Sequence, residues 1–140
     1  MKSWIRIAVG VVSVIFAATV ARSAPAPVLT RLDVIGVVSS KSPYYENISQ
    51  YQMLTSRDHG GPELYIETVE IGYVSSSTVH YNGSLMQEKR AIPLTYSNGV
   101  VYGYKRLWYR KGSFTSGTVT CKATSQAFPF RTLTDRLNVR

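Results

Sequence analysis

The sequence predicts an all-β, mostly antiparallel domain, built as a β-sandwich or an open barrel. Two observations carry that expectation. Runs rich in Val, Ile, Thr and Tyr alternate apolar with polar residues, as a half-buried strand does. Gly, Pro, Asn and Ser clusters separate these runs at intervals of about 8–12 residues, and about seven short strands so spaced are the pattern of two packed antiparallel sheets or a barrel.

The first 23 residues stand apart from that pattern. Lys2 and Arg6 precede an apolar run from 7 to 21, and Ala21 and Ser23 supply small residues at the right spacing for cleavage before Ala24. Cleavage after Ala24 would put Arg22 where a small side chain is needed, and cleavage after Ala24 or Ala26 would leave a proline directly after the cut. The expectation is a cleaved export signal at 1–23 and a single secreted or periplasmic domain at 24–140. No later stretch approaches the roughly 20 apolar residues of a membrane-spanning helix.

From residue 24 onward each element has its own signal. Residues 28–38 form a strand rich in branched side chains, with Leu32 and Val34 opposite Arg31 and Asp33, and Ser and Pro stop it at 39–43. In 44–57, Ile48, Tyr51 and Met53 or Leu54 recur at helical spacing behind Asn47, so a short helix is expected near 46–56. The loop Asp58-His59-Gly60-Gly61-Pro62 leads into a strand at 63–74. There Leu64 and Ile66 share a face with Thr68 and Glu70, a mixture that predicts a bulge or a change of sheet, with Gly72 tolerating the bend. Asn82-Gly83 and Asn98-Gly99 are hairpin dipeptides, and Pro93 puts the run at 91–96 on an edge or a bulge. Val119, Cys121 and Ala123 form the buried face of a later strand, and residues 128–140 are partly strand-like.

The densest mixture of aromatic and basic residues lies at 100–111. Alternation puts Tyr102, Tyr104, Arg106, Trp108 and Arg110 on one face, a cationic aromatic ribbon suited to stacking on sugars and attracting anions; an ordinary outer strand has the same composition. Charge is also unevenly divided. The formal net charge of +8 falls to +5 without Lys2, Arg6 and Arg22. Up to Glu88, Arg31, Lys41 and Arg57 face Asp33, Glu46, Asp58, Glu63, Glu67, Glu70 and Glu88; beyond it, ten basic residues face only Asp135. Such a split means an anionic partner for the second half, or acidic and basic strands paired within one sheet.

Other chemistry is sparse. Cys121 is the only cysteine, so no intramolecular disulfide can form, and its expected place is the core. Two distant histidines and one cysteine offer no zinc spacing, and there is no phosphate loop or dinucleotide fingerprint, so no metal or cofactor is expected. Asp58 beside His59 is a candidate general-base pair, although neighbours on a strand point apart. Cys121 with His59 or His80 would make a thiol dyad if the fold joined them. Asn47 and Asn82 begin N-glycosylation sequons, relevant only in a eukaryotic source.

The runs Leu32-Asp33-Val34-Ile35-Gly36-Val37-Val38-Ser39-Ser40, Asp58-His59-Gly60-Gly61-Pro62 and Glu70-Ile71-Gly72-Tyr73 resemble the YolA-like small secreted bacterial proteins of unknown function. The resemblance spans roughly residues 32–73. It implies an exported bacterial protein, singles out Asp58, His59, Gly60 and Gly61, and carries no activity across. The expected function is binding of an anionic glycan, lipid headgroup or envelope polymer at the ribbon, with nucleic acid the least expected partner of an exported chain. The alternatives are a small secreted hydrolase or toxin using Asp58 and His59, and a protein-interaction module acting as inhibitor or effector.

Overall fold

A computed structural model describes residues 25–140. Nine strands follow in order: β1 (Arg31–Ser39), β2 (Glu46–Asn47), β3 (Gly61–Ile71), β4 (Val74–Tyr81), β5 (Ser84–Leu85), β6 (Gln87–Thr95), β7 (Val101–Phe114), β8 (Gly117–Ser125) and β9 (Thr132–Val139). They make two sheets, β2-β1-β3-β7-β6 and β5-β4-β8-β9, with antiparallel pairing throughout. Neither sheet closes on itself, so the architecture is the open sandwich of the two expected alternatives. The export signal expected at 1–23 lies outside the described residues.

The core lies between the sheets and follows from alternation. Leu32, Val34 and Val37 of β1, Leu64 and Ile66 of β3, and Trp108 and Phe114 of β7 meet Val79 and Tyr81 of β4, Val119, Cys121 and Ala123 of β8, and Leu137 and Val139 of β9. Cys121 is fully enclosed, and burial pushes its thiol well above the ordinary value, so it stays protonated and inert. The register shift between Val34 and Gly36 explains how Val34 and Val37 both face the core from one strand.

The expected change of sheet occurs beside Gly72. β3 belongs to the five-stranded sheet and β4 to the four-stranded one, and Gly72 between them has φ +106°. A Cβ there would lie 2.3 Å from the Val28 carbonyl oxygen, so only glycine lets the chain cross at this point. The buried face of β3 does not itself change: Leu64, Ile66, Thr68 and Glu70 all point inward. Pro93 lies on β6, the outer edge of its sheet, as expected. Asn82 and Gly83 both have positive φ and form the expected tight turn, β4 to β5.

The helix expected near 46–56 is absent; no helix occurs among the described residues. β2 is followed by a turn closed by the Gln52 N–H on the Ser49 carbonyl, and then by extended chain in which Leu54 bridges Asn138 of β9 in parallel. The apolar spacing had no surface to serve: Ile48 is buried, whereas Tyr51, Met53 and Leu54 are exposed. The Glu46 carboxylate instead accepts the N–H groups of Ser56 and Arg57, which fixes the segment as a loop.

Candidate functional site

β7 runs the length of the five-stranded sheet between β3 and β6, so the side chains of its two faces have opposite fates. The face carrying the five expected ligand-binding residues points into the sandwich. Trp108 is only 3% exposed, and its Nε1–H donates to Thr68 Oγ1 at 3.0 Å. Arg106 Nε donates to Glu70 at 2.8 Å and its Nη1 to both Glu88 oxygens at 3.0 and 3.1 Å. Glu70 is fully buried and also accepts the Ser77 hydroxyl of the opposite sheet, so Arg106, Glu70 and Ser77 form a strut between the layers. Tyr104 has the Arg106 guanidinium 5.3 Å from its ring centroid, and Tyr102 packs against Tyr96 with centroids 4.5 Å apart. Arg110 lines a small cleft with Tyr81 and Asn82 at the far end. The expected ribbon is therefore not one exposed surface. Tyr102 lies near one end and Arg110 near the other, while Arg106 and Trp108 between them are structural.

The alternate face of β7 looks outward and carries the cationic aromatic surface one residue out of step. Tyr109 pairs in register with Tyr65 of β3, and their rings lie 4.8 Å apart, tilted by 40°. Lys89 of β6 places its ammonium 5.0 Å from the Tyr109 ring centroid. The bulge between Glu88 and Arg90 leaves Arg90 opposite Leu107, and Ile92 pairs with Lys105, so Lys89, Arg90, Lys105 and Lys111 surround this face. None of the four forms an ion pair among the described residues. Glu63 and Glu67 lie on the β3 side, where each accepts a tyrosine hydroxyl: Tyr109 donates to Glu63 at 3.0 Å and Tyr45 to Glu67. Burial first, then these carboxylates, push both phenol pKa values up, so both hydroxyls stay protonated and donating. The result is an acidic track along β3 beside a basic one along β6 and β7.

The loop of the second candidate pair is built differently from the expected dyad. His59 is fully buried and its Nε2 lies 2.8 Å from Glu46 Oε2, whereas Asp58 is exposed and paired with Lys41. Glu46 also accepts Gln52 Nε2 at 3.2 Å. Burial pushes the Glu46 pKa up, but the Ser56 N–H, the His59 ring and the Arg57 N–H outweigh it and hold the group below the ordinary carboxylate value. Lys41, chiefly by its hydrogen bond, likewise lowers Asp58. His59 Nδ1 is buried without a partner. Beside this loop, Lys41, Asp58, Gly60, Gly61, Phe114 and Thr115 line an open cleft of about 400 Å³ into which neither His59 nor Glu46 projects as a lining residue.

The thiol dyads do not form either. Cys121 pairs with Val79 and faces the core, and His80, the next residue, pairs with Thr120 on the other face. Among the described residues no cluster of three or more His, Cys, Asp or Glu side chains is placed to hold a metal ion. Sequence reasoning missed Tyr65, Lys89, Arg90, Lys105, Tyr109 and Lys111 as one surface. One signal could have found it: Glu70 shares a face with Leu64 and Ile66, so an inward arginine was required of the neighbouring strand, which turns Lys105 and Tyr109 outward.

Fold and surface together define an open two-sheet β-sandwich with an acidic-to-basic aromatic face on its larger sheet. The chain belongs to the family described as Domain of unknown function (DUF4879), whose model matches residues 24–139. Comparison with curated proteins gives no match to this chain.

Proposed function

We propose that this chain is an exported binding domain that holds an anionic glycan or envelope polymer on the outward face of β6 and β7. The single observation that carries the reading is the Tyr65–Tyr109 ring pair edged by Lys89, Arg90, Lys105 and Lys111, four cations without ion-pair partners among the described residues. Paired, partly exposed tyrosines offer ring surface to sugars, and a row of unpaired cations attracts acidic groups at long range. The uneven charge of the sequence supports this reading, because part of the basic excess lies on one face. Export is supported by the apolar run at 7–21 and by a family match that begins at residue 24, where the expected signal ends.

The test is retention of residues 24–140 on immobilised heparin as a polyanionic glycan. Changing Lys105→Ser and Lys111→Ser together should weaken binding by about 2 kcal/mol at low salt, on the scale of roughly 1 kcal/mol per basic side chain at an anionic surface. Retention unchanged by both substitutions in a folded variant would remove the β6–β7 face as the site. His59→Ala separates this reading from the hydrolase alternative, since the ring is fully buried against Glu46 of β2 and does not line the cleft beside it, so its loss should act on stability.

A further inference from the structure

The end of the sandwich opposite the His59 loop is where the chain enters the domain, and its composition is unlike the rest of the surface. Four segments meet there: residues 25–30, the crossing at 72–74, the β6–β7 hairpin at 95–102 and the β8–β9 loop at 125–132. Tyr73 ties them together. Its N–H donates to the Pro27 carbonyl at 2.9 Å, its carbonyl accepts the Gln126 N–H at 2.9 Å, and its hydroxyl donates to the Val101 carbonyl at 3.4 Å. Arg131 adds a second tie, with Nε and Nη2 on the Leu29 carbonyl at 2.9 and 2.7 Å. These segments contain no acidic residue, and Arg131 is their only base. They contain instead Phe128 and Phe130, 80% and 68% exposed with rings packed edge to face at 6.1 Å, and the exposed Tyr96 and Val100 of the hairpin.

We infer that this aromatic end is a lipid-facing surface, seated in the interfacial layer of a bilayer with Phe128 and Phe130 as its deepest side chains. Phenyl rings free of neighbouring carboxylates partition into that layer, and tyrosines with a polar tip lie at headgroup level around them. The occupant is a bilayer because of where the chain arrives. The apolar run at 7–21 is of the kind that enters a membrane, and only residues 22–26 separate it from Pro27, which Tyr73 holds in this end. Five residues can span at most about 17 Å. Lipid holding that run therefore lies within reach of Phe128 and Phe130, and a domain released by cleavage is freed with this end foremost. The outward face of β6 and β7 lies along the sheet rather than at this end, so one molecule can rest on lipid and still present that face to a polymer.

The test uses residues 24–140, which carry both sheets and the core between them, and vesicles of phosphatidylcholine, a zwitterionic lipid that leaves the basic face without an anionic target. Co-sedimentation should be little changed between low and physiological salt. In Phe128→Ser with Phe130→Ser the partition coefficient should fall about tenfold or more, the scale for two phenyl rings leaving an apolar environment. Both side chains lie outside the core, and emission from buried Trp108 checks that the variant is folded. A Phe128→Trp variant should be quenched by brominated lipid, while Lys105→Ser with Lys111→Ser should leave vesicle binding unchanged. No sedimentation of the unaltered domain, or equal sedimentation of a folded double Phe variant, would overturn the inference. Loss of heparin retention in the Phe variant, with no vesicle binding by the parent, would make this end part of the glycan site instead.

Discussion

Arg106 has two readings, a ligand contact and a strut between the sheets, and Arg106→Ala separates them. Glu70 is 0% exposed, and its one charged partner among the described residues is Arg106 at 2.8 Å. Truncating the arginine leaves a buried carboxylate with only the Ser77 hydroxyl, and removing one member of a buried pair costs about 3–5 kcal/mol. Urea unfolding followed by Trp108 emission reads this directly, because Trp108 is two residues along β7 from Arg106 and is the only tryptophan in residues 24–140. With a slope of about 1–3 kcal/mol/M for a domain of this size, the midpoint should fall by about 1 M or more. Replacing the pair together, Arg106→Met with Glu70→Leu, should recover most of the loss, since no unpaired charge remains. An Arg106→Ala protein unfolding within about 0.3 M of the parent would refute the strut, and loss of heparin retention without loss of stability would restore Arg106 to the ligand site.

Two further outcomes follow from the loop and the turns. Because Glu46 has a folded pKa below its unfolded value, its ionised form adds stability above the unfolded pKa, and this is lost as pH falls through the folded one. The gap in urea midpoint between the parent and Glu46→Gln should therefore be largest near pH 7 and shrink below about pH 4; a constant gap would place the effect in packing. Gly72→Ala should destabilise by more than about 3 kcal/mol, since it adds a clash with Val28 to a φ of +106°, whereas Gly83→Ala, with φ +78° and open space around it, should cost about 1 kcal/mol in thermal or urea melts.

The sandwich was legible because its evidence is local. Alternation placed Val119, Cys121 and Ala123 inward, Asn82-Gly83 marked a turn, and Gly72 marked the crossing; each depends on residues next to one another in the chain. The helix failed because spacing at Ile48, Tyr51 and Leu54 says which side chains could share a face, not whether a surface exists to cover it. Deciding that required Glu46 to reach ten residues ahead to Ser56. Which face of β7 turns outward was hidden for a related reason. On β7 both faces carry tyrosines and cations, so composition alone leaves the choice to β3, and the inward Glu70 decides it from a distant part of the sequence.

β6 borders its sheet along nine residues, all exposed but Leu94, and this open margin bears on how the molecule lives among its own copies. An unpaired margin of that length is a template on which another chain can add a strand. Here the template is spoiled from within: Lys89 and Arg90 repel a like neighbour, Pro93 lacks an N–H to offer, and the register breaks at both ends of the strand. The lysine and arginine proposed to hold a polymer thus also keep one sandwich from growing into the next, so substitutions that neutralise that face should also lower the barrier to self-assembly.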